Sequence, residues 1–94
     1  MAIDLMECRR QIDEIDRQIV ALYEERMKVA GEVAAYKIKT GKPVYDPERE
    51  AAKLDAVVAM VEGDLQKEGI RELYTQIMAI SRKYQYQLMD EESM

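Results

Sequence analysis

Between Asp4 and Thr40 the apolar residues fall into two rows of seven-residue spacing. One row is Leu5, Ile12, Ile19 and Val33; the other is Cys8, Ile15, Leu22, Val29 and Tyr36. No proline interrupts the segment, so the pattern predicts one long helix over about residues 4–40. About 37 helical residues at ~1.5 Å each span ~55 Å. A compact monomer of this length has a radius of gyration near ~12 Å. Such a helix overhangs any core its own chain can build, and the expectation is an oligomer in which a second chain covers the seam.

The run TGKPVYDPERE ends that helix. Gly41 supplies a stop, Pro43 prevents a restart, and residues 41–45 form an extended link. Asp46 is an N-cap candidate and Pro47 suits a first helical position, so helix 2 is predicted over about 46–62 with the apolar face Ala51, Leu54, Val57, Val58 and Val61. Gly63-Asp64 breaks the pattern. Helix 3 follows over about 64–88 on the row Ile70, Leu73, Ile77, Ile80 and Tyr84, with Gly69 weakening its first turns and an acidic tail, 89–94, expected to fray. The fold class is therefore all-α: a single domain over 1–94, with one long N-terminal helix and two shorter ones.

Composition narrows the chemistry. The chain has 94 residues, 48% apolar and 35% charged, with neither Phe nor Trp to fill a large core. There is no His and a single cysteine, Cys8, which excludes an internal disulfide, a Cys/His zinc cluster and a histidine general base. No metal or cofactor is expected. A net charge of -5 speaks against nucleic acid as a partner, because that binding draws on a basic surface. Neither a signal peptide nor a membrane-length apolar run is present, and the expectation is a cytoplasmic chain.

Several polar residues stand where the pattern wants apolar ones. The first heptad row passes through position 26, which is Arg26. A buried arginine there needs an anion, either a nearby glutamate or a ligand. Lys37 lies eleven residues on, about three turns and ~16 Å along the same face, and is either a ligand cation or simply a charge suited to a helix C-terminus. Arg9, ~25 Å from Arg26, cannot share a site with it in one chain. Two antiparallel copies of helix 1 crossing near Val20 would bring Arg9 of the partner subunit between Arg26 and Lys37; otherwise Arg9 is merely solvated. On helix 3, Ser81 and Gln85 are four apart and form either a polar notch or a boundary. Arg49 is odd in a first turn, where the helix dipole disfavours a cation. Glu50 is an ordinary first-turn acid, a partner for Arg49, or an acceptor for a ligand.

Taken together, RRQIDEIDRQIVALYEERMKVAGEVAAYK, GKPVYDPERE and IMAISRKYQ resemble the all-helical class of chorismate mutases, including domains of that class fused to other shikimate-pathway enzymes. The likeness runs from about Leu5 to Gln87, carried by the IDxID run, the K-x5-PVYDPERE link and the S-x3-Q pair. It implies an intertwined homodimer with two equivalent sites and a cofactor-free rearrangement of chorismate to prephenate, a step towards Phe and Tyr. By motif position it implies that the partner subunit's Arg9, with Arg26 and Arg49, holds the substrate carboxylates, assisted by Ser81. Lys37 and Gln85 resemble the pair that hydrogen-bonds the breaking ether oxygen, and Asp46 and Glu50 the residues near the substrate hydroxyl. Of the adjacent arginines, counting seven back from Asp16 favours Arg9 over Arg10. Some relatives carry Glu at the position of Gln85, where a carboxyl must be protonated to donate; an amide needs no such condition.

Two other readings share these residues. A lyase on the same scaffold would remove pyruvate from isochorismate in a similar cationic pocket. A helical dimerisation or regulatory module would keep the fold without turnover, but broken site positions would mark it, and here the motif positions carry suitable residues.

Overall fold

The computed structural model of the chain describes residues 2–93, and its regular elements there are three α-helices: α1 (Leu5–Thr40), α2 (Pro47–Ala59) and α3 (Asp64–Ser93). Helix α1 begins where Asp4 accepts hydrogen bonds from the backbone N–H groups of Met6 and Glu7, at 3.0 and 3.3 Å. It ends at Gly41, whose φ of 75° is a left-handed conformation that costs glycine nothing. Asp46 caps α2 by accepting from the Arg49 N–H at 3.0 Å, and Pro47 occupies the first helical position, as its missing donor allows.

Two boundaries differ from the sequence pattern. Helix α2 stops at Ala59 rather than 62, because the Met60 and Val61 N–H groups turn back to the carbonyls of Val57 and Val58 at 3.2 Å, and Lys67 Nζ donates to the Val58 carbonyl at 3.0 Å. Val61 thus belongs to the turn, which reverses through Gly63 at φ 85°. Helix α3 continues to Ser93 rather than fraying after 88. Leu88 and Met89 are half-buried, no Gly or Pro follows them, and the acidic residues simply prolong the helix; Met94 lies outside the described residues. At 30 residues α3 is nearly as long as α1, at 36, so only α2 is short.

Helix α3 packs against both α1 and α2, which do not pack against each other. The buried positions of α1 lie outside both heptad rows. Ala30, Gly31 and Ala34 face α3, and a Cβ added at Gly31 would stand 3.4 Å from the Tyr84 ring. Small residues allow the two helices this approach. The rows themselves remain out: Leu5, Ile12, Ile15, Ile19, Leu22, Val29, Val33 and Tyr36 are 39–63% exposed. On α3 the expected apolar row is likewise not the most buried; Leu73 and Ile80 are exposed, whereas Met78, Ser81 and Gln85 are buried. The chain is correspondingly extended, with a radius of gyration of 17.2 Å and principal extents of 60 × 26 × 14 Å. Among the described residues no helix is long and apolar enough to cross a membrane.

Candidate active site

The C-terminal third of α1, the link, the first two turns of α2 and the middle of α3 enclose a cavity of about 360 Å³, within the size range of small-molecule sites. Arg26 and Lys37 reach it from α1, Asp46 from the link, Arg49 and Glu50 from α2, and Ser81 and Gln85 from α3. Its floor is apolar, with Ala30, Val44 and Met78 buried. The Asp46 cap sets this geometry, since it fixes where α2 starts and therefore where Arg49 and Glu50 stand.

Among the described residues Arg26, Lys37 and Arg49 form no ion pair, so the alternative of a glutamate neutralising Arg26 does not hold. Lys37 is not simply a solvated C-terminal charge: its Nζ donates to the Val44 carbonyl across the link at 2.8 Å. An ammonium has three donors, so two remain for the cavity. Ser81 and Gln85 are 8% and 7% exposed and form a buried notch rather than a boundary. The Gln85 amide nitrogen donates to Ser81 Oγ at 3.3 Å, while Gln85 Oε1 is buried without a partner. Half a turn of that amide exchanges the two ends: the Ser81 hydroxyl then donates to Oε1 and the NH2 group faces the cavity.

Glu50 pairs not with Arg49 but with Arg82 of α3, Arg82 Nη1 donating to Glu50 Oε1. That hydrogen bond pushes the Arg82 guanidinium pKa above its ordinary value. Arg82 and Lys53 both line the cavity, and neither was singled out by the sequence reading. The available signals were spacing alone: Lys53 is one turn beyond Arg49, and Arg82 is three residues before Gln85. The walls thus carry five cations, Arg26, Lys37, Arg49, Lys53 and Arg82, against the carboxylates Asp46 and Glu50. In a chain of net charge -5 this is a local field of opposite sign, suited to a small anion.

Arg9 is elsewhere. It is exposed near the start of α1 and does not line the cavity. Its neighbour Arg10 is tied to Glu7 of the same helix at 2.5 Å, which lowers the Glu7 carboxyl pKa through that hydrogen bond. Among the described residues no group of three or more His, Cys, Asp or Glu side chains is arranged to hold a metal ion.

Comparison with known proteins agrees with the motifs. The family model for chorismate mutase type II matches residues 8–86. A chorismate mutase of Methanocaldococcus jannaschii is 45% identical over 53 residues, 56% of this chain and 54% of that protein. The T-protein of Haemophilus influenzae is 28% identical over 91 residues, 92% of this chain but 24% of that protein. A bifunctional chorismate mutase/prephenate dehydratase of Pseudomonas aeruginosa is 36% identical over 76 residues, covering 76% of this chain and 21% of the relative. The chain therefore spans between about a fifth and about half of the length of these relatives. With a family match from the first turns of α1 to the last quarter of α3, the chain belongs to the chorismate mutase type II family.

Proposed function

We propose that the chain rearranges chorismate to prephenate, in the cytoplasm and on the route to Phe and Tyr, as an intertwined homodimer with two shared sites. The observation that carries this reading is the pairing of unpaired cations with a buried amide around one small cavity: Arg26, Lys37 and Arg49 on one side, Gln85 on the other. The substrate is a flexible dianion. Arg26, Arg49 and the partner subunit's Arg9 hold its carboxylates by charge-assisted, bidentate contacts, with Ser81 assisting, and so restrict it to the compact conformer that reacts. Glu50 and Asp46 stand near its hydroxyl, Glu50 with one carboxylate oxygen still available beside Arg82.

The reaction breaks the ether C–O bond as a new C–C bond forms, within one molecule. Negative charge grows on the ether oxygen in the transition state. Lys37, oriented by the Val44 carbonyl, and Gln85, oriented by Ser81, donate to that oxygen, and a preorganised donor pair stabilises the transition state more than the ground state. No proton is transferred, which is consistent with a site built from cations and an amide.

The dimer is argued from the two exposed apolar rows of α1 and from a cavity lining that Arg9 of the same chain does not join. Two copies of α1 crossing antiparallel near Val20 bury the rows and deliver Arg9 of the partner subunit to the open side. The test follows chorismate disappearance and prephenate formation with purified protein, together with a mixture of Arg9→Ala and Lys37→Ala chains. Active wild type and recovery of about one working site per mixed dimer are expected. A folded, dimeric but inactive wild type overturns the activity; release of pyruvate in place of prephenate assigns a lyase instead. Mixed dimers that form but stay inactive overturn the shared site.

A further inference from the structure

Arg82 joins three elements at the cavity. Its guanidinium donates to Glu50 in the first turn of α2, its Cζ lies 5.0 Å from the centroid of the Tyr45 ring in the link, and its own backbone is the turn of α3 that carries Ser81 and Gln85. Among the described residues this is the only ion pair between two helices; the other two join residues three apart on α1. The pair is sheltered, with side-chain exposures of 30% for Arg82 and 21% for Glu50, so it is less screened than a surface pair.

Charge distinguishes Arg82 from the other arginines of the cavity. Arg26 and Arg49 have no carboxylate partner and are available to an anion, whereas Arg82 is already neutralised by Glu50. The pair as a unit adds almost nothing to the attraction for a dianion. What it adds is geometry: Oε1 of Glu50 is occupied, and Oε2 is left as the acceptor. We infer that Arg82 is a positioning residue, acting through Glu50 and Tyr45 to fix the Glu50 carboxylate and the start of α2 against α3, so that Glu50 meets the substrate hydroxyl in one orientation. This rests on the proposed mutase reaction.

The test is a double-mutant cycle on the full chain with Arg82→Ala, Glu50→Gln and both together. Arg82→Ala is expected to lower kcat/KM about 10- to 100-fold, the range of a lost charge-assisted hydrogen bond. Its changes in kcat and in KM should stand in the same proportion as those of Glu50→Gln. In the Glu50→Gln background, removing Arg82 should cost less than about twofold further, because the partner it acts through no longer carries the charge. Arg82→Lys keeps a cation within reach of Glu50 and should recover most of the loss. Equal losses in both backgrounds overturn the inference, because Arg82 would then act on substrate or fold directly. Unchanged kinetics of Arg82→Ala in an active wild-type background also overturn it, while an inactive wild type overturns the mutase reading instead. Should Arg82→Ala not fold, Arg82→Met, which keeps the apolar stem without the charge, is put through the same cycle and read in the same way.

Discussion

From Arg9 to Glu25 every residue of α1 is exposed in the single chain, whereas from Arg26 to Ile38 the same helix buries Ala30 and Ala34 and sends Arg26 and Lys37 into the cavity. Both halves carry the same two apolar rows. In the C-terminal half a third face of small residues, Ala30, Gly31 and Ala34, is the most closely packed, and Val29, Val33 and Tyr36 of the rows stay 39–54% exposed. Rows and cavity therefore meet only in the C-terminal half, where Arg26, Val29 and Val33 of the rows line the cavity, while the N-terminal half carries the rows alone. The difference separates a half of α1 that lines a cationic pocket from a half whose apolar rows lie open to solvent in the single chain.

The sharpest way to test this division is to damage each half alone. Lys37→Ala, in the cavity half, should lower kcat on the order of 10²- to 10³-fold, as for loss of one donor to a developing oxyanion, while circular dichroism shows an unchanged helix content. Loss of helix content in step with activity would place Lys37 in the fold instead. Leu22→Ala, in the exposed half, should weaken the dimer by about 2–3 kcal/mol, the cost of truncating a buried leucine, read as dissociation at higher concentration in sedimentation. A monomeric wild type, or a dimer indifferent to Leu22, breaks the comparison.

Smaller effects refine the cavity side. Gln85→Glu should retain activity at low pH and lose about tenfold per unit as pH rises above the carboxyl's titration, because only the protonated acid donates to the ether oxygen. Wild type, with an amide there, should show no such loss across the same range; a matching decline would remove Gln85 from the role assigned to it. Asp46→Ala removes the α2 cap and should cost about 1 kcal/mol of stability. Turnover should fall several-fold at temperatures where the helices are intact, because Arg49 and Glu50 lose their fixed origin. The smallest expected effect is Arg10→Ala, within about twofold of wild type, since an exposed pair on one helix contributes little. A large loss there would move the trans arginine by one residue.

Much of the fold was legible because its signals act over a few residues. Asp46 and Pro47 start α2, and Gly41 stops α1 through a left-handed backbone that glycine accepts freely. The ends of α2 and α3 were less legible. Val61 continues an apolar pattern, but the chain must reverse there towards α3, and the Lys67 side chain reaches back to the Val58 carbonyl to close the turn. Nothing local stops α3 before Ser93, and half-buried Leu88 and Met89 carry it past the expected end.

For the site, chemically unusual positions were legible one at a time: a cation in an apolar row, a cation in a first turn, a neutral pair four apart. Arg26, Arg49, Ser81 and Gln85 announced themselves in that way, and Lys37 followed from its spacing on the face of Arg26. Arg82 and Lys53 did not, since a cation on a helix surface is ordinary until another helix is laid beside it. The sequence by itself determined the helices, their caps and the rows of α1, because each depends on hydrogen bonds or spacing within a turn or two. Only the tertiary structure decided that Glu50 would meet Arg82, that Ser81 and Gln85 rather than Leu73 and Ile80 would be buried, and that Arg26 and Gln85 would face one cavity. Those outcomes depend on how α3 lies across α1 and α2. That packing brings together residues 32 positions apart for Glu50 and Arg82, a relation no local pattern encodes.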